Sequence, residues 1–276
     1  PKAPAIPVVR GLLAEIQGRW AQASSSYAVA SRRFPQNDSL MLARMRTLQA
    51  AGGRVEADRH ISRNLQADTA SPAVLRAAGY RELNAGRPRT ALAYFDRALQ
   101  RHPGEKGATE GRALALHGLG EHAQVVATLR GRVGERDSGR LQLALARSAL
   151  VTESYDIAIP MFQAHLAQQD RNVDAWLDLA RAFFLTQRTR QSHQAAQRAL
   201  ALRPGFGPAV LLMGHIGFRQ GRYADALDAY QQAAQLGEGG PGGLDGLIHA
   251  ARQRLTSDPA AGQAHVATTT PRRIHR

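Results

Sequence analysis

Two histidines and a glutamate lie close enough in the sequence to suggest a metal site: His117, Glu121 and His122. A helical zinc site needs two histidines one turn apart, as in the HExxH pattern, and a third ligand. The two histidines here do not have that spacing and no third ligand accompanies them, so we interpret the three residues as polar side chains around a turn. The chain also contains no cysteine, which excludes disulfides, thiolate nucleophiles and thiolate metal ligands.

Other patterns typical of catalysis are missing from the sequence as well. No serine lies in the GxSxG pattern that presents the nucleophile of many hydrolases. The glycine-rich segment GEGGPGG, residues 237–243, lacks the GK[ST] that binds phosphate, and it lies where a loop between helices is expected. The sequence therefore predicts a protein that is not an enzyme and that has no cofactor and no metal.

Small residues recur along the chain at a fixed interval. Gly18, Gly52 and Gly86 are 34 residues apart, and the alanine five residues after each of them recurs with the same step. Between Trp176 and Phe183, apolar residues at i, i+3, i+4 and i+7 mark one face of an amphipathic helix. An interval of this length, with two short helices joined by a glycine turn, is typical of a helical repeat.

The chain resembles the tetratricopeptide repeat family. The family's order of large, small, turn and aromatic positions is clearest in residues 207 to 234, at Val210, Met213, Gly214, Gly221, Tyr223, Ala226, Tyr230 and Ala233. One departure is Gly217, which stands where the family has an aromatic residue, with Phe218 beside it. The resemblance implies an all-α fold, a right-handed superhelical solenoid of helix-turn-helix repeats whose stacked pairs each touch only their neighbours.

We expect residues 1–240 to form an array of about seven such units. The units begin near Pro4, Asp38, Pro72, Lys106, Gly139, Val173 and Gly207. Residues 241–256 carry apolar side chains at helical spacing and are expected to form a C-terminal capping helix, followed by a disordered basic tail at 257–276. The unit near Lys106 departs most from the pattern, because Arg112 takes a core position and Val125 replaces a small residue.

The formal net charge of +14 comes almost entirely from arginine, since Lys2 and Lys106 are the only lysines. The arginines are spread along the chain and form no concentrated stripe of the kind that marks a nucleic-acid footprint. This favours the ordinary surface of a protein from a bacterium over a polyanion-binding surface. No apolar run approaches the roughly 20 residues of a membrane-spanning helix, and both the cytoplasm and the periplasm of a bacterium remain open.

The resemblance implies that the first helix of each unit lines a concave groove, which binds partners in most family members. We expect this groove to be apolar with a row of arginines. Its predicted lining residues are Arg46, Arg76, Tyr80, Leu114, His117, Leu143, Arg147, Leu177, Arg181, Phe184, Leu211, His215 and Phe218. Such a surface suits a protein or peptide segment with apolar anchors and acidic groups, because arginine pairs with a carboxylate through two parallel hydrogen bonds.

Three hypotheses about function follow. The first is an interaction scaffold or adaptor that binds a partner segment in the groove, in a bacterial pilus, secretion or polysaccharide-export assembly. The second is binding of RNA or another polyanion through the arginine-rich surface, which would make affinity fall steeply with salt. The third is that the chain is the repeat region of a larger polypeptide, since Pro4 and Pro7 leave the first helical face poorly capped.

Overall fold

The computed structural model describes residues 5–34, 37–65, 70–134, 137–240 and 242–257. In these ranges every regular element is an α-helix, which confirms the all-α prediction. The chain divides into two compact units, Pro1–Leu129 and Arg130–Arg276. None of the helices in the described ranges has the length and hydrophobicity that crossing a lipid bilayer requires.

The helices form consecutive antiparallel pairs joined by short turns. The first unit contains α1 (Ala5–Ile16), α2 (Trp20–Arg33), α3 (Asp38–Ala50), α4 (Arg54–Leu65), α5 (Pro72–Asn84), α6 (Pro88–Arg101), α7 (Lys106–Gly118) and α8 (His122–Leu129). The second contains α9 (Gly139–Val151), α10 (Tyr155–Gln168), α11 (Val173–Leu185), α12 (Thr189–Leu202), α13 (Gly207–Arg219), α14 (Tyr223–Gln235) and α15 (Asp245–Ser257).

The first helices of the pairs begin where the sequence pattern places the unit starts, from α3 at Asp38 to α13 at Gly207. The start near Pro4 and all of the predicted tail beyond Ser257 lie outside the described residues. An array of seven units with a terminal cap remains a proposal that this register supports.

Side-chain caps explain why several first helices begin where they do. The side chain of each capping residue accepts a hydrogen bond from a backbone N–H in the first turn, which has no partner within the helix. The capping residues of α3, α5, α9 and α11 are Asn37, Ser71, Ser138 and Asn172.

The turn inside each pair requires a residue with positive φ. Gly86 and Gly221 supply it at φ 72° and 74°. Glu153 and Gln187 take the same place in the α9–α10 and α11–α12 turns, at φ 58° and 61°. A residue with a Cβ adopts this conformation at a cost of roughly 1–2 kcal/mol, so packing of the two helices must maintain these turns.

The core of the first unit is built around the ring of Phe95 in α6, which is fully buried. A Cβ atom placed on Gly79 of α5 would lie 2.7 Å from this ring, and one placed on Gly111 of α7 would lie 2.2 Å from it. The two glycines therefore allow the ring to lie directly against the backbones of two first helices. Tyr80 adds an edge-to-face contact, with ring centroids 5.1 Å apart.

The second unit uses the same kind of contact between α13 and α14. Tyr230 is buried against Gly214, where a Cβ atom would lie 2.6 Å from the ring. A Cβ atom on Gly217 would lie 3.3 Å from the backbone nitrogen of Ala226. The departure from the family pattern at Gly217 thus coincides with a close approach of the two helix backbones.

The α7–α8 pair contains two residues that depart from the repeat pattern, Val125 and Arg112, and the two have different environments. Val125 is fully buried, so it acts as a core residue in place of an alanine. Arg112 does not enter the core as its position predicted, because its Nε atom donates to Asp96 of α6 at 2.7 Å. The side chain of Arg112 remains 30% exposed, which spares it the cost of burying an unpaired charge.

The outer face of α1 is apolar and exposed. Ile6, Val9, Leu13 and Ile16 each leave more than half of their surface exposed, with Ile16 at 83%. Their spacing of i, i+3, i+7 and i+10 places them on one stripe of the helix. In α15, by contrast, Ala251 is buried, as is Leu244 just before the helix, and the outward side chains are polar.

Glu82 of α5 is a buried carboxylate whose charge should stabilise the first unit in a pH-dependent way. It accepts hydrogen bonds from Arg87 at 2.6 Å and from Arg81 at 3.1 Å. The bond from Arg87 lowers the pKa of Glu82, although burial works in the opposite direction. A pKa that is lower in the folded state means that the stabilisation is complete above the unfolded-state pKa and is lost as the pH falls through the folded-state pKa.

Glu82→Gln should therefore lower the free energy of unfolding at pH 7 by about 1–2 kcal/mol, the usual loss for hydrogen bonds to a charged group. The difference from the wild type should shrink as the pH falls below about 4.5, where the unfolded carboxyl becomes protonated. Urea denaturation followed by circular dichroism at pH 7, 5 and 3.5 would measure it. If the difference in the free energy of unfolding between variant and wild type stayed constant from pH 7 to pH 3.5, the charge of Glu82 would not be what stabilises the unit.

Candidate peptide-binding groove

In the first unit, the two predicted groove arginines are already paired with acidic residues. Arg46 of α3 contacts Glu15 of α1 through Nε at 2.7 Å and Nη2 at 2.6 Å, and its side chain is 62% exposed. Arg76 of α5 pairs with Glu105, the residue that also caps α7. These arginines therefore link successive first helices, and screening by solvent keeps the exposed Arg46 pair weak.

The other predicted residues of the first unit are half-buried on α5 and α7. The hydroxyl of Tyr80 donates to the backbone carbonyl of Gly107 at 2.9 Å. The rings of His117 and His122 meet edge to face at 5.7 Å, and Leu114 lies one turn before His117. Within the described residues, no three His, Cys, Asp or Glu side chains are arranged to hold a metal ion.

In the second unit, two predicted groove arginines share one acidic residue. Arg147 of α9 donates from Nε to Asp178 of α11 at 2.9 Å, and Arg181 reaches the other oxygen of Asp178 at 3.7 Å. Asp178 is largely buried, whereas Arg147 and Arg181 leave 36% and 48% of their side chains exposed. The cluster carries two positive charges and one negative charge, so it retains a net positive charge at the surface.

Aromatic residues follow this cluster on α11 and α13. The guanidinium of Arg219 lies 3.6 Å from the centre of the Phe184 ring and donates to the Phe184 carbonyl at 2.6 Å. Phe218 packs edge to face against Tyr223 at 5.3 Å. Both phenylalanines remain half-buried. They therefore present apolar surface that is held in place by neighbours within the same unit.

His215 lies beside Phe184, with their ring centres 6.2 Å apart. Its Nδ1 atom is 3.1 Å from the hydroxyl of Tyr230. Burial, with a smaller contribution from the charge of Arg219, lowers the pKa of His215, while burial raises the pKa of Tyr230 to about 12. Both side chains are therefore neutral at pH 7, and His215 adds no positive charge to the surface.

The three predicted groove leucines of the second unit differ in exposure. Leu143 of α9 and Leu211 of α13 are half-buried, and Leu211 packs against α14 and α15. Leu177 of α11 is only 4% exposed, so it belongs to the core and does not line a groove as its position predicted. Its apolar side chain gains more from burial between helices than from a place on the surface.

The acidic partners of the arginines were not predicted from the sequence, although a signal for them exists. Glu15 precedes Arg46 by 31 residues, and Arg147 precedes Asp178 by the same number. This separation is slightly shorter than the 34-residue repeat, so it connects neighbouring first helices. Arg219, which holds Phe184 in place, was missed because it lies outside the groove positions that the family pattern defines.

The sequence matches two family models. Residues 76–128 match a model described as tetratricopeptide repeat, and residues 142–264 match one described as the middle TPR-like domain of cilia and flagella-associated protein 70. The chain is a tetratricopeptide repeat protein. No curated protein matches the sequence significantly.

Solved structures of tetratricopeptide repeat proteins share the fold. YrrB, described as a TPR protein with an unusual peptide-binding site, is 14% identical with a TM-score of 0.56, over 64% of this chain and 91% of that chain. MamA from AMB-1 is 19% identical with a TM-score of 0.55, over 62% of this chain and 93% of that chain. A repeat protein from Parabacteroides merdae is 16% identical with a TM-score of 0.50, over 93% of this chain and all of that chain. These similarities confirm the predicted solenoid class, a fold that serves in general as a scaffold for protein interactions.

Proposed function

We propose that this repeat protein is a non-enzymatic scaffold whose first helices bind a protein segment with apolar anchors and acidic groups. The observation that carries the proposal is the arrangement of Arg147 and Arg181 around the single carboxylate of Asp178. Two guanidinium groups have more hydrogen-bond donors than one carboxylate can accept. The cluster can therefore bind a second carboxylate without first losing its own.

The surface next to the arginine cluster supplies the apolar part of the same site. Phe184 lies one turn after Arg181 on α11, and its ring is fixed by Arg219. Aromatic side chains that are already held in one conformation bind a partner at a lower entropic cost. The second unit would thus offer an acidic segment both arginines for its carboxylates and an aromatic surface for its large apolar side chain.

The setting that we propose for this scaffold is a bacterial assembly such as a pilus, a secretion system or a polysaccharide exporter. Its support is the arginine-rich, lysine-poor composition, with a net charge of +14. YrrB, whose description includes a peptide-binding site, offers a parallel for peptide binding by this fold.

Charge reversal in the cluster tests the proposal directly. The probe is a fluorescent peptide of about 12 residues that alternates Leu or Phe with Glu or Asp, as the recognition of acidic motifs by arginine clusters suggests. The double variant Arg147→Glu, Arg181→Glu should bind this peptide at least about ten-fold more weakly than the wild type in fluorescence anisotropy. Asp178→Asn should bind it more tightly, because the arginines lose their internal competitor.

The matched control is the double variant Arg188→Glu, Arg190→Glu, which changes the charge equally at two exposed arginines near the start of α12. Equal losses of affinity in both double variants, together with a steep fall of binding with salt, would overturn the groove site and favour polyanion binding. Retained affinity in the Arg147 and Arg181 variant would also reject the proposal. Circular dichroism confirms that each variant is folded.

A further inference from the structure

A second concave site lies in the second unit, between α10, α11 and α12. It is an open cleft with a volume of about 430 Å³, and none of its lining residues belongs to the predicted groove. Its apolar floor consists of Leu166, Trp176, Leu179 and Phe183. Three of these floor residues are nearly buried, but Trp176 is only half-buried and leaves part of its ring accessible.

A small residue in α12 borders the space above this floor. Ala195 is the seventh residue of α12; the seventh residues of α10 and α6 are Met161 and Tyr94, and that of α14 is also an alanine, Ala229. The larger side chains would occupy the volume that Ala195 leaves open. Trp176 cannot easily turn to fill it, because its indole N–H donates to the backbone carbonyl of Asp170 at 2.7 Å.

The rim of the cavity is polar, and its polar groups are not engaged elsewhere. The side chains of Gln163, Gln191, Gln194 and Arg198 line it and are exposed, and none of these side chains forms a hydrogen bond or ion pair with any residue that the structure describes. Arg198 differs in this respect from Arg147, whose guanidinium is bonded to Asp178. The lining contains one positive charge and no negative charge, which favours an anionic ligand.

We propose that this cavity binds a small molecule in which an apolar ring or short chain carries a carboxylate. The apolar part would lie on the Trp176 and Phe183 floor, and the carboxylate would pair with Arg198 while the glutamines donate further hydrogen bonds. A cavity of about 430 Å³ has the size and the balance of apolar floor and few polar groups that are typical of ligand sites. This site is independent of the groove and does not rest on the proposed scaffold function.

Tryptophan fluorescence offers a direct test, because Trp20 is the only other tryptophan and can be replaced with phenylalanine. The probes are 4-phenylbutyrate and its neutral amide. In the Trp20→Phe protein, the acid should change Trp176 fluorescence in a saturable way, with a Kd of roughly 0.05–2 mM for a ligand of this size. The amide should bind at least about five-fold more weakly, since it cannot form the charge-assisted pair with Arg198.

Three further variants locate the ligand within the cavity. Arg198→Gln should weaken binding of the acid at least about five-fold while leaving the affinity for the amide unchanged. Arg190→Gln, on the same helix but outside the cavity, should have no effect. Ala195→Met, which introduces the residue type that α10 has at its seventh position, should abolish binding by filling the cavity. If circular dichroism shows that Ala195→Met is unfolded, the comparison of Arg198→Gln with Arg190→Gln decides whether the cavity binds the acid.

Several results would overturn the proposal. These are a linear, unsaturable response up to about 10 mM probe, which is weaker than any specific site of this size, and equal affinities for acid and amide. Tight binding of a blocked Phe-Glu peptide without binding of the free acid would reject a small-molecule site in favour of an anchor for a protein partner. The affinity of the acidic peptide for Arg147 and Arg181 is measured separately, so the two sites succeed or fail independently.

Discussion

Replacing Phe95 with alanine will lower the free energy of unfolding of the first unit by about 3–5 kcal/mol, the range observed for large-to-small changes at fully buried aromatic positions. The ring has no exposed surface and lies between Gly79 and Gly111. Its loss would leave a cavity bordered by two helix backbones, which cannot collapse as readily as side chains do. Urea denaturation followed by circular dichroism would measure the loss.

The glycine side of the same contact provides an independent check. Gly111→Ala should cost about 1–3 kcal/mol through overpacking, because its Cβ would lie 2.2 Å from a ring that is buried on all sides. Adding Phe95→Leu to Gly111→Ala should recover part of that loss, since the smaller side chain vacates the space. The matched control is Gly104→Ala, whose Cβ would meet no atom within 4 Å and should leave stability nearly unchanged.

An equal loss in the two single alanine variants, Gly111→Ala and Gly104→Ala, would contradict the steric argument. It would mean that the cost does not come from contact with the ring, since Gly→Ala without a steric conflict is expected to be neutral or stabilising. A loss of less than about 1 kcal/mol for Phe95→Ala would show that the neighbouring helices can close the cavity, against the tight packing of the ring between two backbones.

Replacing His165 with leucine will lower the free energy of unfolding of the second unit by about 1–3 kcal/mol, because it removes the hydrogen bonds of a buried imidazole to Gly139 and Asn172. His165 of α10 is 1% exposed. Its Nδ1 atom lies 2.8 Å from the carbonyl of Gly139, and its Nε2 atom lies 2.9 Å from the side-chain nitrogen of Asn172. The imidazole therefore joins the starts of α9 and α11 to the end of α10.

The hydrogen bonds of Asn172 determine how this imidazole is protonated. The Oδ1 atom of Asn172 accepts from the N–H of Ala175 at 3.1 Å, so its amide group turns a donor toward His165. Nε2 of His165 must then accept, which places the ring proton on Nδ1, where it is donated to the carbonyl of Gly139. One neutral tautomer satisfies both neighbours, and leucine satisfies neither.

A double-mutant cycle separates this network from simple loss of volume. Asn172→Ser retains the ability to cap α11, but its side chain is one bond shorter and lacks the amide nitrogen that contacts His165. The double variant should lose less stability than the sum of the two single variants, with a coupling of about 0.5–3 kcal/mol. Additive losses would reject the network. His193→Leu, at a half-buried histidine for which no hydrogen bond is found within the described residues, is the matched control and should change stability little.

The pattern of the sequence was sufficient to predict the all-α class, the family and the pairing of helices. Glycines recur 34 residues apart, and alanines follow them with the same step. This spacing gives the length of one structural unit, because each unit needs a glycine in its turn and a small residue where its helices meet. The turn positions at Gly86 and Gly221 and the buried ring of Phe95 follow from these local requirements. The turns depend on neighbours within one helical pair, which are close in sequence, whereas the ring of Phe95 also packs against Gly111 of the next pair.

Only the tertiary structure showed which side chains of the candidate sites are paired, which are buried and which are exposed. Helical periodicity shows which face of a helix is apolar, but not which side chain of the next pair meets it. The pairing of Arg147 with Asp178, the burial of Leu177 and the cavity above Trp176 all depend on how helices rotate and cross. If a helix rotates about its own axis by a few tens of degrees, a residue moves from the groove to the core. Only the packing between helical pairs determines this rotation.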